Sequence, residues 1–576
     1  MLPSHKTPIA PGKYDIFPSH EIGSDRIFTG FDTLANFLSG KENLLIEGYV
    51  GVYYEDFVCR LSDSLKQLGK MVTLLNVSFA MKPESEIDNL IAPFLGGDDP
   101  VFGTRTTLSL CDLFDLEKLK EICPEDEVIN IVYGPGATLT GIAGTLIYID
   151  LPKNEIQYRA RRGKTTNLGA STADDPKKMY KRFYFVDWIL LNHHKETLLK
   201  KIDVIVDGQN PVEPAWMIGD HFREALDGLV HGAFRVRPWF EAGVWGGQWI
   251  KDRIEGLPVD VPNYAWSFEL ITPENGIILE SSGLLIEISF DFLMFHDHKA
   301  ILGMHAEKYG VEFPIRFDFL DTFSGGNLSI QCHPQPEYMT EHFGENFTQE
   351  ESYYILDAAP GAVCHLGFQE DIDPGQFREA LEMSFRNNKA LQIEKYVQVL
   401  PSKKHDLFLI PPGTIHGSGV DNLVLEISTT PYIFTFKLYD WIRPDLDGKP
   451  RPINIEHGMC NLCFDRKGER VGEELVSKPA LVASGDDWEH YSLPTHQDHT
   501  YDVHRYHFMG EVLIETQNRA HVINLVEGRS IGVETESGMR MNISYAETFV
   551  VPAAAIRYHL FNTGNQPATV VVAFMK

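Results

Sequence analysis

The order of strand and helix signals changes near residue 230 of this 576-residue chain, and one fold does not suit both parts. From about residue 42 to 225, short apolar runs such as NLLIEG and MVTLLNVS alternate with amphipathic stretches such as EDFVCRLSDSLKQLG. This alternation predicts an α/β layer with a mainly parallel sheet. Beyond it, many short strand-like runs separated by Gly and Pro predict β-barrels or sandwiches.

We therefore expect a multidomain protein, because a chain of this length exceeds a single core. The patterns predict an α/β domain over 1–225, a β-barrel domain over 226–480 and a smaller β-barrel over 481–576. The run DPGQFREALEMSFRNN predicts a helical insertion in the middle domain. The smaller barrel has no histidine at the position equivalent to His416 of the middle one, and we expect it to be metal-free.

Charge and targeting signals limit the classes of partner. The net charge of −30 opposes generic binding to nucleic acid or to anionic membranes. The amino terminus lacks the layout of a signal peptide, and no apolar run reaches the ~20 residues of a membrane helix, so we expect a cytoplasmic protein. Seven scattered cysteines favour reduced thiols, and Cys460 and Cys463 lack the second ligand pair of a zinc knuckle. The oligomeric state stays open.

Four polar residues in the middle domain form a candidate metal site. Gln331 and His333 are two residues apart in LSIQCHP, so a strand would point both to one face. Glu351 begins the strand-like run ESYYILD, and His416 lies in the turn-like segment PPGTIHGSG. Nitrogen and oxygen ligands without thiolate favour zinc and leave iron, manganese and cobalt open. The alternative is a set of unrelated polar residues in a β-protein.

A set of ordered motifs resembles the type I phosphomannose isomerases, zinc enzymes of the cupin superfamily. The resemblance covers roughly residues 235–460, with a weaker likeness over 485–576. Its motifs are WGGQW, LSIQCHP, EESYYILDAAPGA, IPPGTIHGSG, VLEIS and FKLYDWIRPD. The resemblance implies two cupin barrels, one zinc ion held by the four residues above, and interconversion of mannose 6-phosphate and fructose 6-phosphate through an enediol.

The resemblance also implies roles for residues around the metal. Lys437 occupies the slot of the family's catalytic arginine and is expected to stabilise enediolate charge, while Glu426 is expected to orient it or to serve proton transfer. Ser329 and Arg443 match residues that contact the substrate phosphate, and Arg316 could supply positive charge. The sequence departs from the family at two further positions, where Asp318 and Gln349 replace lysines.

The amino-terminal domain resembles P-loop nucleoside kinases in the segment NLLIEGYVGVYYEDF. The Gly, Lys and Ser/Thr slots of the phosphate-binding pattern hold Tyr53, Tyr54 and Glu55, so we expect a degenerate domain without kinase activity. A basic cluster, Arg159, Arg161, Arg162 and Lys164, leaves ligand binding open, although a solvated helix face is the plainer interpretation.

Three hypotheses for the function follow. The first is a zinc-dependent isomerase acting on a small-molecule sugar phosphate, without nucleic acid or membrane partners. The second is a non-catalytic or regulatory sugar-binding protein. The third is an isomerase of an unphosphorylated sugar, suggested by Asp318 and Gln349.

Overall fold

The computed structural model describes residues 2–445, 448 and 451–576. Its chain divides into two units. The first comprises Phe17–Val230 and Thr272–His298 with the residues before Ile9, and the second comprises Ile9–Ile16, His231–Ile271 and Lys299–Lys576. Among the described residues, no helix combines the length and apolar character needed to cross a bilayer.

A seven-stranded sheet forms the centre of the first unit. Its strands lie in the order Val72–Asn76, Ile129–Tyr133, Asn43–Gly48, Thr145–Asp150, Val204–Asp207, Ala215–Ile218 and Ile27–Thr29. The first five strands are parallel to one another, and Ala215–Ile218 is antiparallel to both of its neighbours, Val204–Asp207 and Ile27–Thr29. The alternation of strand and helix predicted for 42–225 is confirmed by this sheet, whereas the likeness to P-loop kinases stays a prediction.

The helices of the first unit bury apolar faces against that sheet. In Tyr54–Gln67, for example, Phe57, Val58, Leu61 and Leu65 join the same core as the central strands. The α-helices are Phe31–Leu38, Tyr54–Gln67, Glu84–Ile91, Leu116–Leu119, Lys153–Arg161, Pro176–Arg182, Trp188–Leu198 and Gly219–Val230. A further helix, Asp291–Leu302, begins in this unit and is kinked at Asp297.

A hairpin from later in the chain also belongs to the first unit. Strands Gly276–Ser281 and Leu284–Ser289 form a three-stranded sheet with Ser19–Glu21. The sequence pattern assigns these strands to the middle β domain, but the hairpin hydrogen-bonds to the parallel sheet. Asp150 accepts from the Ser289 backbone at 2.6 Å, and Asp207 accepts from the Glu287 backbone at 3.0 Å. The predicted division at 225 and 480 otherwise stays a prediction.

The second unit consists mainly of antiparallel strands in four sheets. Two of them share an apolar core that includes Tyr353, Ile355, Leu366 and Val424, and we call this pair β module 1. Its six-stranded sheet has the order Leu407–Ile410, Glu350–Ala358, Asn422–Thr429, Ile315–Asp321, Trp266–Leu270 and Trp239–Glu241. Its five-stranded sheet has the order Val397–Pro401, Val363–Phe368, His416–Ser418, Ile330–Cys332 and Phe436–Tyr439.

The other two sheets share a second apolar core and form β module 2. One has the order Ala480–Ser484, Trp488–Leu493, Tyr501–Phe508, Ala568–Met575, His521–Glu527 and Thr548–Val551. The other has the order Glu511–Glu515, Arg557–Asn562, Ser530–Thr535 and Arg540–Ser544. The sheet-rich character predicted for this part of the chain is confirmed, and closure into barrels stays a prediction.

Short helices connect the strands of β module 1. The longest, Pro374–Asn387, lies in the predicted insertion, where Pro374 occupies its first turn and the Asp373 side chain accepts from the Gln376 backbone at 2.8 Å. The remaining α-helices of the second unit are Trp249–Arg253, Ala306–Tyr309, Pro336–Phe343, Ile455–Asn461 and Glu469–Glu474.

Candidate metal centre

Two strands of β module 1 bring Gln331 and His416 side by side. Gln331 is directly opposite His416 on one neighbouring strand and opposite Lys437 on the other. Opposed residues of antiparallel strands project to the same face, so the three side chains share one side of the sheet. His333 follows Gln331 by two residues, beyond the end of strand Ile330–Cys332. Glu351 belongs to the other sheet of the module, in strand Glu350–Ala358.

His333, Glu351 and His416 converge on a single point. Nε2 of His333 lies 3.0 Å from Oε2 of Glu351, and Nε2 of His416 lies 2.8 Å from Oε1. One ligand atom from each residue lies within 4.8 Å of the other two. All three side chains are at most 1% exposed. This is the only such group of three or more histidine, cysteine or acidic residues within the described part of the chain.

The hydrogen bonds of the two imidazoles fit a metal ion. Nδ1 of His333 lies 3.0 Å from the Phe434 carbonyl oxygen, and Nδ1 of His416 lies 2.9 Å from that of Thr414. A carbonyl oxygen only accepts, so each Nδ1 carries the proton and a neutral ring turns the Nε2 lone pair towards Glu351. Within the described residues, Nε2 of His333 and Oε1 of Glu351 lack a hydrogen-bond partner. A cation would satisfy both of these acceptors.

Gln331 can supply a fourth ligand. Its Nε2 lies 3.3 Å from Nε2 of His416, and its Oε1 accepts a hydrogen bond from Ser329 at 2.9 Å. The amide oxygen and nitrogen are assigned from hydrogen bonds, and a 180° rotation of the amide turns the oxygen towards the imidazoles. Ser329, predicted to hold phosphate, is fully buried and bonded to Gln331.

Gln349 supports the carboxylate of the cluster. It accepts a hydrogen bond from the Phe434 backbone at 2.7 Å, and its Nε2 lies 3.4 Å from Oε2 of Glu351. Burial raises the pKa of the Glu351 carboxyl, but in the metal-free chain the charge of His333 and His416, when they are protonated, outweighs burial and lowers that pKa well below its usual range. When the imidazoles are neutral, a bound cation would supply the positive charge that keeps Glu351 ionised, as a metal ligand must be.

A second group of carboxyls lies on the sheet that carries Glu351. Asp318 is directly opposite Glu426 on the neighbouring strand. Glu426 is also opposite Tyr353 on its other neighbour, and Tyr353 follows Glu351 by two residues. Burial raises the pKa of both Asp318 and Glu426 well above the usual range; repulsion from Glu351 adds to the effect on Asp318, and repulsion from Asp318 and Glu351 adds to the effect on Glu426. A carboxyl with a raised pKa retains its proton to higher pH, which suits a residue that delivers or removes one.

The predicted substrate residues have different surroundings. Lys437 is half-buried beside Gln331. Arg316 is 4% exposed and donates to the Pro431 carbonyl oxygen. Arg443 pairs with Asp440 at 2.8 Å. Asp440 also pairs with Arg451 at 3.0 Å, so a single carboxylate faces two guanidinium groups.

Some contacts of the site have no signal in the sequence. The carbonyl oxygens of Phe434 and Thr414 orient the two imidazoles, but every residue carries such an atom. Gln349 could be recognised only as a departure from the family. The buried Tyr353 packs its ring edge-on against His416 with 5.8 Å between ring centroids, and a Tyr-Tyr pair in an apolar strand does not predict this contact.

Comparison with known proteins finds one family model and several named sequence relatives. Residues 30–231 match a protein family described as "Domain of unknown function (DUF8485)". The chain is 27% identical over 223 residues to mannose-6-phosphate isomerase ManA of Bacillus subtilis (strain 168), a match covering 39% of this chain and 65% of that enzyme. Over 217 residues it is 25% identical to mannose-6-phosphate isomerase of Streptococcus mutans, covering 38% and 63%. It thus spans slightly less than two thirds of these relatives.

These sequence relatives support the phosphomannose isomerase family. Among solved structures, the Bacillus subtilis mannose 6-phosphate isomerase is similar with a TM-score of 0.48 and 19% identity, covering 59% of this chain and 99% of that one. A putative mannosephosphate isomerase from Archaeoglobus fulgidus has a TM-score of 0.45 and 16% identity, covering 60% and 98%.

Proposed function

We propose that this chain is a zinc-dependent aldose–ketose isomerase that interconverts mannose 6-phosphate and fructose 6-phosphate. The observation that carries the proposal is the buried convergence of two Nε2 atoms on one carboxylate, with Lys437 and a carboxyl pair nearby. The names of the sequence relatives supply mannose 6-phosphate, and the resemblance of the motifs supplies its partner, fructose 6-phosphate. The proposed ligands are Gln331, His333, Glu351 and His416.

Isomerisation moves a proton between adjacent carbons through an enediol, so it needs a proton carrier and a positive group near the developing oxyanion. The metal, when bound, supplies Lewis-acid polarisation of the substrate oxygens. Glu426 suits the proton carrier because burial and the opposing Asp318 raise its pKa. The ammonium group of Lys437 suits stabilisation of the enediolate.

The phosphate group would be bound by Arg443, with Ser329 and Arg316 in supporting positions. A second candidate substrate is an unphosphorylated sugar, favoured by one observation: Arg443 is paired with Asp440, which a phosphate would have to displace or rearrange.

We also propose that β module 2 is metal-free and that the amino-terminal unit is a degenerate kinase-like domain.

The test is turnover of mannose 6-phosphate by the purified chain loaded with zinc, measured by coupled detection of fructose 6-phosphate. We expect activity that disappears on chelation and in His333→Ala. The matched control is His342→Ala, an exposed histidine of helix Pro336–Phe343, which should leave the rate unchanged. Faster conversion of free mannose, unaffected by Arg443→Ala, would replace the sugar phosphate with a neutral sugar. Absence of turnover with a metal-loaded chain would reject the isomerase.

A further inference from the structure

The turn that carries His416 is held by a buried arginine outside the proposed ligand set. Arg466 is 9% exposed and donates through Nη1 to the carbonyl oxygens of Pro411 at 3.1 Å and Pro412 at 2.5 Å. The same nitrogen donates to Oγ1 of Thr414 at 2.6 Å. These three acceptors cover four residues of chain immediately before Ile415 and His416, so one guanidinium fixes the whole turn.

The turn formed by residues 411–414 orients both histidines of the proposed metal centre. The Thr414 carbonyl oxygen accepts from Nδ1 of His416, and the Gly413 backbone N–H donates to the His333 carbonyl oxygen at 2.9 Å. Gly413 has φ +78°, and a Cβ there would lie 2.4 Å from the Asn461 carbonyl oxygen, so the turn has no room to relax in that direction. A displacement of residues 411–414 therefore moves Nε2 of His416 relative to Glu351.

The charge of Arg466 is balanced by β module 2. Its Nη2 donates to Oδ2 of Asp498 at 2.9 Å. Two residues further on, the Thr500 backbone N–H donates to the buried carboxylate of Glu350 at 2.6 Å, and the Thr500 hydroxyl also donates to it. The Tyr501 hydroxyl lies 2.9 Å from Oγ of Ser352. The segment Asp498–Tyr501 thus contacts the neighbours of Glu351 on both sides.

We propose that Arg466 and the segment Asp498–Tyr501 are positioning residues for the metal centre, which we call the brace. Through Arg466 they fix His416, and through Glu350 and Ser352 they fix Glu351. β module 2 then contributes to metal affinity without supplying a ligand. The proposal rests on the proposed metal centre, but it does not depend on which sugar is the substrate.

The chemistry of the contacts makes arginine specific here. A planar guanidinium donates to carbonyls, a hydroxyl and a carboxylate in fixed directions, and a lysine ammonium does not reproduce this fork. Hydrogen-bond partners of metal ligands typically change metal affinity by roughly 10–100-fold when they are removed. We expect the brace to act over this range, because it orients ligands rather than replacing one.

The experiment is titration of the full-length, metal-free chain with Co²⁺, followed by the visible d–d absorption of the bound ion. We expect Arg466→Gln and Asp498→Asn to weaken Co²⁺ binding by about 10-fold or more and to change the band shape. Arg466→Lys should recover only part of the affinity. The control is Arg470→Gln, whose guanidinium forms an exposed ion pair with Glu474 four residues along its helix, and it should match the unmodified chain.

Asp498 is 45% exposed at its side chain, so Asp498→Asn is expected to fold even if a variant of the buried Arg466 does not. Far-UV circular dichroism establishes folding for each variant. Unchanged Co²⁺ affinity and spectrum in folded Asp498→Asn and Arg466→Lys would overturn the brace. If the unmodified chain binds one Co²⁺ without isomerising sugar phosphates and the variants bind it more weakly, the proposed function fails and the brace is supported. If the unmodified chain binds no Co²⁺, both fail.

Discussion

The two β modules contain the same strand–connection–strand arrangement but have different side chains at its equivalent positions. In each, a strand, five connecting residues and a second strand follow one another, from Leu407–Ile410 to His416–Ser418 and from Thr548–Val551 to Arg557–Asn562. Glu351 is opposite Ile410, the last residue before the connection, and His521 is opposite the equivalent Val551. His416 is fully buried, whereas Arg557 is exposed and pairs with Glu536 at 3.0 Å.

The two modules differ by one residue in the position along the second strand whose side chain faces the core. In β module 2 the side chain that faces the core is Tyr558, not Arg557, and its hydroxyl lies 3.0 Å from Nδ1 of the buried His521. A shift of one residue along a strand moves every side chain to the other face. Ile556, the last residue of the connection, has φ +62° and is 61% exposed, while Ile415 is buried. A hydrogen-bonded tyrosine and histidine thus occupy the place of a metal cluster.

The largest effect is expected from removing a ligand in β module 1. His416→Ala should lower Zn²⁺ affinity by more than the roughly 100-fold that loss of a ligand's hydrogen-bond partner costs, because the ligand itself is gone. Arg557→Ala, at the equivalent position of β module 2, should leave affinity unchanged. Competition with a chromophoric chelator measures both. A loss of Zn²⁺ affinity in Arg557→Ala would contradict the expected difference between the two modules.

Stability should depend on metal through β module 1 alone. Metal at 1,000 times its dissociation constant stabilises the native state by about 4 kcal/mol, so chelation should lower the Tm. His416→Ala should lose this response, whereas His521→Gln should keep it and still bind one ion per chain. Differential scanning calorimetry with metal analysis provides the measurement. Two ions per chain in the unmodified protein would contradict a metal-free β module 2.

The acid response should separate the buried histidine of β module 2 from exposed ones. Burial, with help from His504 and Arg519, lowers the pKa of His521 to about 3. Its neutral form therefore contributes stability that is complete above the unfolded pKa of about 6.5 and is lost as the pH falls towards 3.

His521→Gln should flatten the fall of the unfolding free energy between pH 6 and 4 by about 1 kcal/mol per pH unit. Urea unfolding at several pH values measures it, and His342→Gln is the exposed control. Equal slopes in both variants would mean that His521 does not titrate on unfolding.

The smallest effect concerns the connection of β module 2. A β-branched residue at φ +62° is strained, and glycine adopts this conformation without a steric penalty. Ile556→Gly should therefore stabilise the chain by about 1 kcal/mol. The matched change in β module 1, Ile415→Gly, removes a fully buried side chain and should destabilise by about 2–5 kcal/mol. Thermal unfolding measures both variants. Stability changes of opposite sign would support the difference between the two connections, and changes of the same sign would contradict it.

The candidate metal ligands lie in short local patterns, which makes them recognisable in the sequence. Gln331 and His333 share a strand face by spacing alone, and the turn around His416 is marked by Pro and Gly. The same patterns predict nothing about Arg466 and Asp498, which are 32 residues apart and meet only in the folded chain. A charged residue in a loop is ordinarily solvated, and its burial depends on tertiary packing.

Strand assignment shows a similar limit. The runs GIILESS and LLIEISF predict strands correctly, but alternation along a strand does not specify which sheet it joins. The decisive contacts are those from Ser289 and Glu287 to Asp150 and Asp207, more than 75 residues earlier in the chain. Arg443 illustrates the opposite case, since it pairs with Asp440, which is only three residues away in the chain.

The hairpin Gly276–Ser289 also constrains how such a chain can arise and be divided. The polypeptide leaves the first unit, builds part of the second, returns for the hairpin and then completes the second. No single break in the chain yields both units whole: a cut near residue 230 would leave Asp150 and Asp207, buried at the ends of their strands, without the backbone donors of residues 287 and 289. Recombination at a single site would divide the chain in the same way and could not transfer one unit whole. We therefore expect the two units to be inherited and lost together.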